Sequence, residues 1–144
     1  MAAFNPTDTL LAEIRSLSAY QALLNQIRQG QDVASLSLLR SLRLPTLTLL
    51  HQDLKWPILY VTDRTDRTVN QLDEIGFWLG EEEPYHFPAP TPLFYEIAEW
   101  GAGARQNRLV CFARLAAYHL PFSKDDRPVP LIMAPLRAIM ARTF

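Results

Sequence analysis

The sequence predicts an α/β protein built on a parallel sheet covered by helices. Strand-like runs alternate with stretches of helical period along most of the chain, the pattern of a parallel sheet with helices on both faces. The strand-like runs are short and apolar, bounded by proline, glycine or aspartate. With 144 residues and 49% hydrophobic residues, the chain has enough apolar material for one core.

The first two elements are helices. Asn5-Pro6-Thr7-Asp8 supplies a cap, a first-turn proline and an early acid, followed by Leu10, Leu11, Ile14 and Leu17, so a helix is expected over about 6–16. Ser18-Ala19-Tyr20-Gln21 matches a capping box, and Leu23, Leu24 and Ile27 form a stripe that stops at Gly30. Residues 1–30 are thus expected to form an N-terminal helical segment, and 31–144 an α/β half-domain.

Val33 to Leu39 partly alternates and is short, which suits a first strand while leaving helix open. Pro45 opens a further helix carrying Leu47, Leu50, His51 and Leu54, which Pro57 ends. Ile58–Thr62 is the clearest strand and is expected to be buried on both faces. Val69, Leu72, Ile75 and Leu79 define a helix from Asp66 that stops at Gly80, and Tyr85-His86-Phe87 follows as a brief strand.

Prolines and glycines punctuate Pro88 to Gly103, so a long exposed connection is expected there. Leu109, Phe112, Ala113, Ala116 and Leu120 mark an amphipathic helix, Ser123 to Pro128 a polar loop, and Val129–Ala134 another strand. Leu136, Ile139 and Met140 begin a last helix. The chain ends just after this strand and helical turn, which suggests a larger architecture truncated at its C-terminal end.

Charge and composition narrow the function. A net charge of -1 gives no basic excess for a phosphate backbone. No apolar run approaches the ~20 residues needed to span a bilayer, and no signal peptide is legible, so a cytoplasmic protein is expected. Cys111 is alone, which leaves it a buried small hydrophobe rather than a disulfide or zinc ligand.

Parallel α/β proteins bind ligands at the carboxyl ends of strands, which directs attention to the turn after the expected first strand. There Arg40, Ser41, Leu42, Arg43, Leu44, Pro45 and Thr46 contain neither the glycines nor the lysine of a phosphate-cradling loop. Nor does a buried strand end in an acidic pair for magnesium; Asp125-Asp126 sits in a loop. His51, His86 and His119 lack ligand-like spacing, and no nucleophile elbow surrounds Ser35, Ser37 or Ser41. Glu81-Glu82-Glu83 reads as a solvated loop, and Trp78 and Trp100 fit packing residues and ligand stackers equally well. Arg105, Arg108 and Arg114 lie along one helix and could face DNA or a neighbouring domain, although a solvated helix face is the plainer account. No metal and no cofactor is called for.

From about Ser18 onward the chain resembles the N-terminal UvrB-homology region of bacterial transcription-repair coupling factors. Trp56-Pro57-Ile58-Leu59-Tyr60-Val61-Thr62 is similar to the family's strand after its first covering helix, and Ile75-Gly76-Phe77-Trp78-Leu79-Gly80 to the end of the next helix. Phe87-Pro88, with Tyr95-Glu96 at the far end, resembles a family loop; Arg108-Leu109 with Leu115 resembles the helix after it. Leu131 to Arg142 resembles the strand and helix that close the half-domain.

The resemblance implies an incomplete, degenerate helicase-like (RecA-like) half-domain with a degenerate phosphate loop at Arg40–Thr46. It also implies a non-catalytic scaffold within an ATP-driven DNA translocase that displaces stalled RNA polymerase and recruits UvrA in nucleotide excision repair. Its partners would be the other domains of the parent and, for the parent as a whole, UvrA, RNA polymerase and DNA. Family members often keep a glycine in the degenerate loop, whereas this chain has none. Two other readings stay open: a nucleotide-binding or hydrolytic α/β protein with an unrecognised site, and a stand-alone interaction module.

Overall fold

A computed structural model describes residues 6–80, 82–90, 101–120 and 129–141. The chain divides into two compact units, Met1–Lys55 and Trp56–Phe144. The boundary therefore falls between Lys55 and Trp56, not at Gly30.

The first unit is helical. Helices α1 (Pro6–Ser16), α2 (Ser18–Arg28) and α3 (Arg43–Leu54) pack on one another, with Leu11, Ile14, Tyr20, Leu23 and Leu24 buried. Pro6 occupies the first helical position, where a missing N–H costs nothing. The expected capping box does not form, because Leu17 is the cap and Ser18 already lies inside α2. Gln21 Nε2 instead reaches back 2.7 Å to the Arg15 carbonyl. Gly30 at φ 71 closes α2, its N–H bonded to the Ile27 carbonyl at 2.9 Å.

Asp53 ties the three helices together. Its Oδ2 accepts from Arg15 Nε at 3.1 Å and from the Tyr20 hydroxyl at 2.7 Å, while its backbone carbonyl accepts from Arg28 Nη2 at 3.0 Å. Burial, followed by the adjacent carboxylate, pushes the Tyr20 phenol above its ordinary range.

The strand expected over Val33–Leu39 does not form. Residues 31–39 carry no regular structure and Leu39 is 72% exposed. Alternation with serine is a weak signal without a neighbouring strand to satisfy the backbone.

The second unit holds the parallel sheet, built from β1 (Ile58–Thr62), β2 (Tyr85–His86) and β3 (Leu131–Pro135) in the order β1-β3-β2. Helix α4 (Thr65–Leu79) connects β1 to β2, α5 (Ala102–His119) lies between β2 and β3, and α6 (Leu136–Met140) follows β3 directly. The fold class is thus α/β with parallel strands, as the sequence predicts.

Register and alternation assign the two faces. Thr62 meets Thr68 of α4, and its register partner Pro135 places Leu131, Met133 and Pro135 on the α4 side. Ile132 and Ala134 point the other way, into a cluster with Phe87, Cys111 and Ala138 against α5. All five residues of β3 are buried.

β1 is an edge strand and does not meet the expectation of burial on both faces: Leu59 is 52% and Val61 43% exposed. The all-apolar run of a central strand belongs to β3, which has a neighbour on each side. Gly80 at φ 72 ends α4, where the sequence places the stop.

The apolar face of α5 is also rotated from expectation. Leu109, Phe112 and Leu120 are 41–52% exposed, whereas Arg108 and Cys111 are each 1% exposed and Leu115 packs beside them. The helix begins at Ala102, inside the span predicted to be a connection.

Candidate functional site

Because the strands are parallel, their carboxyl ends share one edge of the sheet, which is where α/β proteins hold ligands. Here that edge is formed by the β1–α4 turn, the exit of β2 into Phe87-Pro88, and the passage of β3 into α6.

At the β1 exit every charge is answered within the turn. Arg64 pairs two-pronged with Asp66, Nε to Oδ1 and Nη2 to Oδ2 both at 3.0 Å, and Arg67 Nη1 meets Asp63 Oδ1 at 2.7 Å. The Thr62 and Thr68 hydroxyls are buried against each other and both lie within hydrogen-bond reach of the Arg64 carbonyl, at 2.9 and 3.1 Å, so that their two protons are shared among the three contacts. Asp66 in the first turn of α4 takes the position where an anion is favoured by the helix dipole. An incoming phosphate would meet carboxylates, and the turn has no glycine to bring N–H groups close.

At the β2 and β3 exits the space is filled by Arg108. From α5 its Nη1 donates to the Pro88 carbonyl at 2.9 Å and to the Ala138 carbonyl at 3.1 Å, and its Nη2 to the Ala141 carbonyl at 3.2 Å. The guanidinium carbon stands 3.9 Å over the Phe87 ring. Burial pulls the Arg108 pKa below the ordinary arginine range. Cys111, one turn on, is held by its Sγ–H to the His86 carbonyl at 3.4 Å, and burial pushes its thiol up to about 11 in spite of the nearby guanidinium.

The residues singled out from sequence are dispersed. Arg40, Ser41 and Leu42 form a 3-10 turn that runs into α3 at Arg43, with no strand before it. Leu44, Pro45 and Thr46, which would line a phosphate loop, are buried within α3. This stretch therefore lacks the strand–turn–helix setting of a phosphate loop.

Phe87 and Pro88 stand at the sheet edge beside Arg108, while Tyr95 and Glu96 lie outside the described residues, as do Trp100 and Asp125-Asp126. Arg105 and Arg114 are exposed on α5, Arg114 5.5 Å from the Tyr85 ring. Arg108 is not a surface contact for DNA; its side chain is spent on the interior of its own unit. His51, His86 and His119 fall on three different elements, and no group of metal-ligating side chains occurs among the described residues. No helix of the described residues is long and apolar enough to cross a membrane.

Sequence reasoning passed over the β1–α4 turn and the inward turn of Arg108. A signal existed for each: the turn follows the clearest strand, and Arg108, Cys111 and Leu115 recur at helical spacing. The fold and this edge define a small parallel α/β unit in a chain that also holds a helical unit. The chain matches no protein-family model, no curated protein and no solved structure.

Proposed function

We propose that this chain is a non-catalytic scaffold module of the UvrB-like kind that stands at the N-terminal side of transcription-repair coupling factors, working in the cytoplasm with the other domains of its parent. Within that parent, displacement of stalled RNA polymerase, movement on DNA and recruitment of UvrA would belong to other modules. The observation that carries the proposal is the occupied sheet edge. Where a nucleotide-binding α/β protein keeps a crevice, this chain places Arg108 on its own carbonyls and pairs the charges of the β1 exit with one another at the surface.

Such an arrangement favours rigidity over exchange. A guanidinium whose Nη1 and Nη2 are held by fixed carbonyls is not available to stabilise the charge of a transferring phosphoryl group.

Calorimetric titration with magnesium-ATP at physiological salt is expected to give no saturable heat. A dissociation constant of about 10 µM or lower, roughly 7 kcal/mol of binding, would overturn the scaffold reading in favour of a nucleotide-binding protein. Co-purification with UvrA is expected to fail for this chain and to succeed for a longer one carrying the following module. Retention by the short chain would put recruitment here instead.

A further inference from the structure

β1 has a neighbour on one side only. Ile58 N–H donates to the Pro130 carbonyl at 3.1 Å, which fixes the ladder with β3 so that Ile58, Tyr60 and Thr62 turn their backbone groups inward. Leu59 and Val61 therefore turn theirs to the outer edge. No backbone hydrogen bond reaches that edge among the described residues.

Edge strands are ordinarily guarded by lysine, proline, a bulge or an inward charge. Ile58–Thr62 has none of these. Its outward-facing Leu59 and Val61 continue the sheet face that carries Ile132 and Ala134, and their side chains are about half exposed.

We propose that the outer edge of β1 is a self-association surface, whose occupant is β1 of a second copy of this chain, paired antiparallel about Tyr60. The geometry selects that register. Outward-turned residues must be the hydrogen-bonded pairs of an antiparallel ladder, so Leu59 of one copy exchanges bonds with Val61 of the other, and Tyr60 faces Tyr60 across the two-fold.

A two-fold perpendicular to the sheet keeps faces together, so both Leu59–Val61 pairs gather on one side, where apolar cross-strand pairs stabilise a sheet. The ends are complementary as well. Each Trp56 ring, 44% exposed, falls at the end of the partner strand that leads into Arg64, whose side chain is 68% exposed. A five-residue strand makes a small contact, so association is weak, with a dissociation constant of roughly 0.1–1 mM.

Sedimentation equilibrium of the full chain from about 1 µM to 1 mM should show a monomer–dimer equilibrium. The double variant Leu59→Lys/Val61→Lys sets like charges opposite one another across the ladder. It should weaken association more than about tenfold, and because both sites are exposed its circular dichroism should be unchanged. Tyr60→Cys supplies a register test. Under oxidised glutathione it should cross-link into a dimer faster than Phe77→Cys, whose site is 67% exposed on α4. A monomer throughout the concentration range, association undiminished by the two lysines, or cross-linking no faster at residue 60 than at residue 77 would each overturn the proposal.

Discussion

Each unit is held by a knot of hydrogen bonds centred on one charged residue, and the two knots differ in what surrounds them. In the helical unit the centre is Asp53, whose partner Arg15 has a side chain 41% exposed. In the sheet unit the centre is Arg108, 1% exposed and bonded to three backbone carbonyls. Water replaces most of what a severed Asp53 contact loses. It has no such access to the Ala138 carbonyl, buried with Arg108, so cutting that knot leaves a polar group buried and unmet. Similar contact diagrams thus predict unlike energies.

The sharpest way to break the comparison is Arg108→Met, which keeps bulk and removes the donors. It should destabilise the sheet unit by about 3 kcal/mol, read by urea unfolding of the whole chain. Cys111 offers a readout confined to that unit. Its thiol, pushed up to about 11 by burial, should resist a disulfide reagent at pH 8 in the native chain and be labelled far faster in the variant. If labelling is unchanged, Arg108 does not hold the β2 and β3 exits together.

Next in size is Tyr20→Phe in the helical unit, which removes the 2.7 Å bond to Asp53 and should cost about 1 kcal/mol without altering Cys111 labelling. A cost equal to that of Arg108→Met would erase the distinction between the two knots.

A smaller effect should appear on acidification. Burial lowers the His86 pKa from its ordinary 6.5, and its Nε2 has no hydrogen-bond partner among the described residues. The unfolded chain then binds the proton more readily. Stability is full above about pH 6.5 and is lost as pH falls toward the depressed folded value, a slope that His86→Gln should flatten. Urea midpoints at a series of pH values between 5 and 7.5 decide it. Least of all, Arg64→Ala should change stability by no more than ~0.5 kcal/mol, since its pair with Asp66 is exposed on both sides.

Local signals carried much of the fold. Pro6, Gly30, Gly80 and the run Ile58–Thr62 mark their elements because the cause lies within a few residues: a fixed φ, a left-handed stop, a β-branched apolar run. What failed depended on neighbours far along the chain. Val33–Leu39 has strand composition but pairs with no strand among the described residues, and Ile58–Thr62 is as apolar as β3 yet lies at an edge. Arg108 was assigned to the surface by its charge, because nothing local announces that carbonyls of residues 88, 138 and 141 converge on it. The β1–α4 turn is legible in composition, but a first strand expected over Val33–Leu39 directs attention to Arg40–Thr46 instead.

The strand order has a bearing on synthesis. Among the described strands β1 and β2 do not touch; each pairs with β3, which is made after both. Through the making of α4 and α5 there is no sheet, and Ile58 waits roughly seventy residues for Leu131, a closure costing about 4 kcal/mol in chain entropy before any ladder forms. The helical unit has all its helices once Lys55 is made and need not wait. A nascent chain stopped short of Leu131 would carry two strands with nothing between them, so the sheet unit is assembled in a single late event, when its centre arrives.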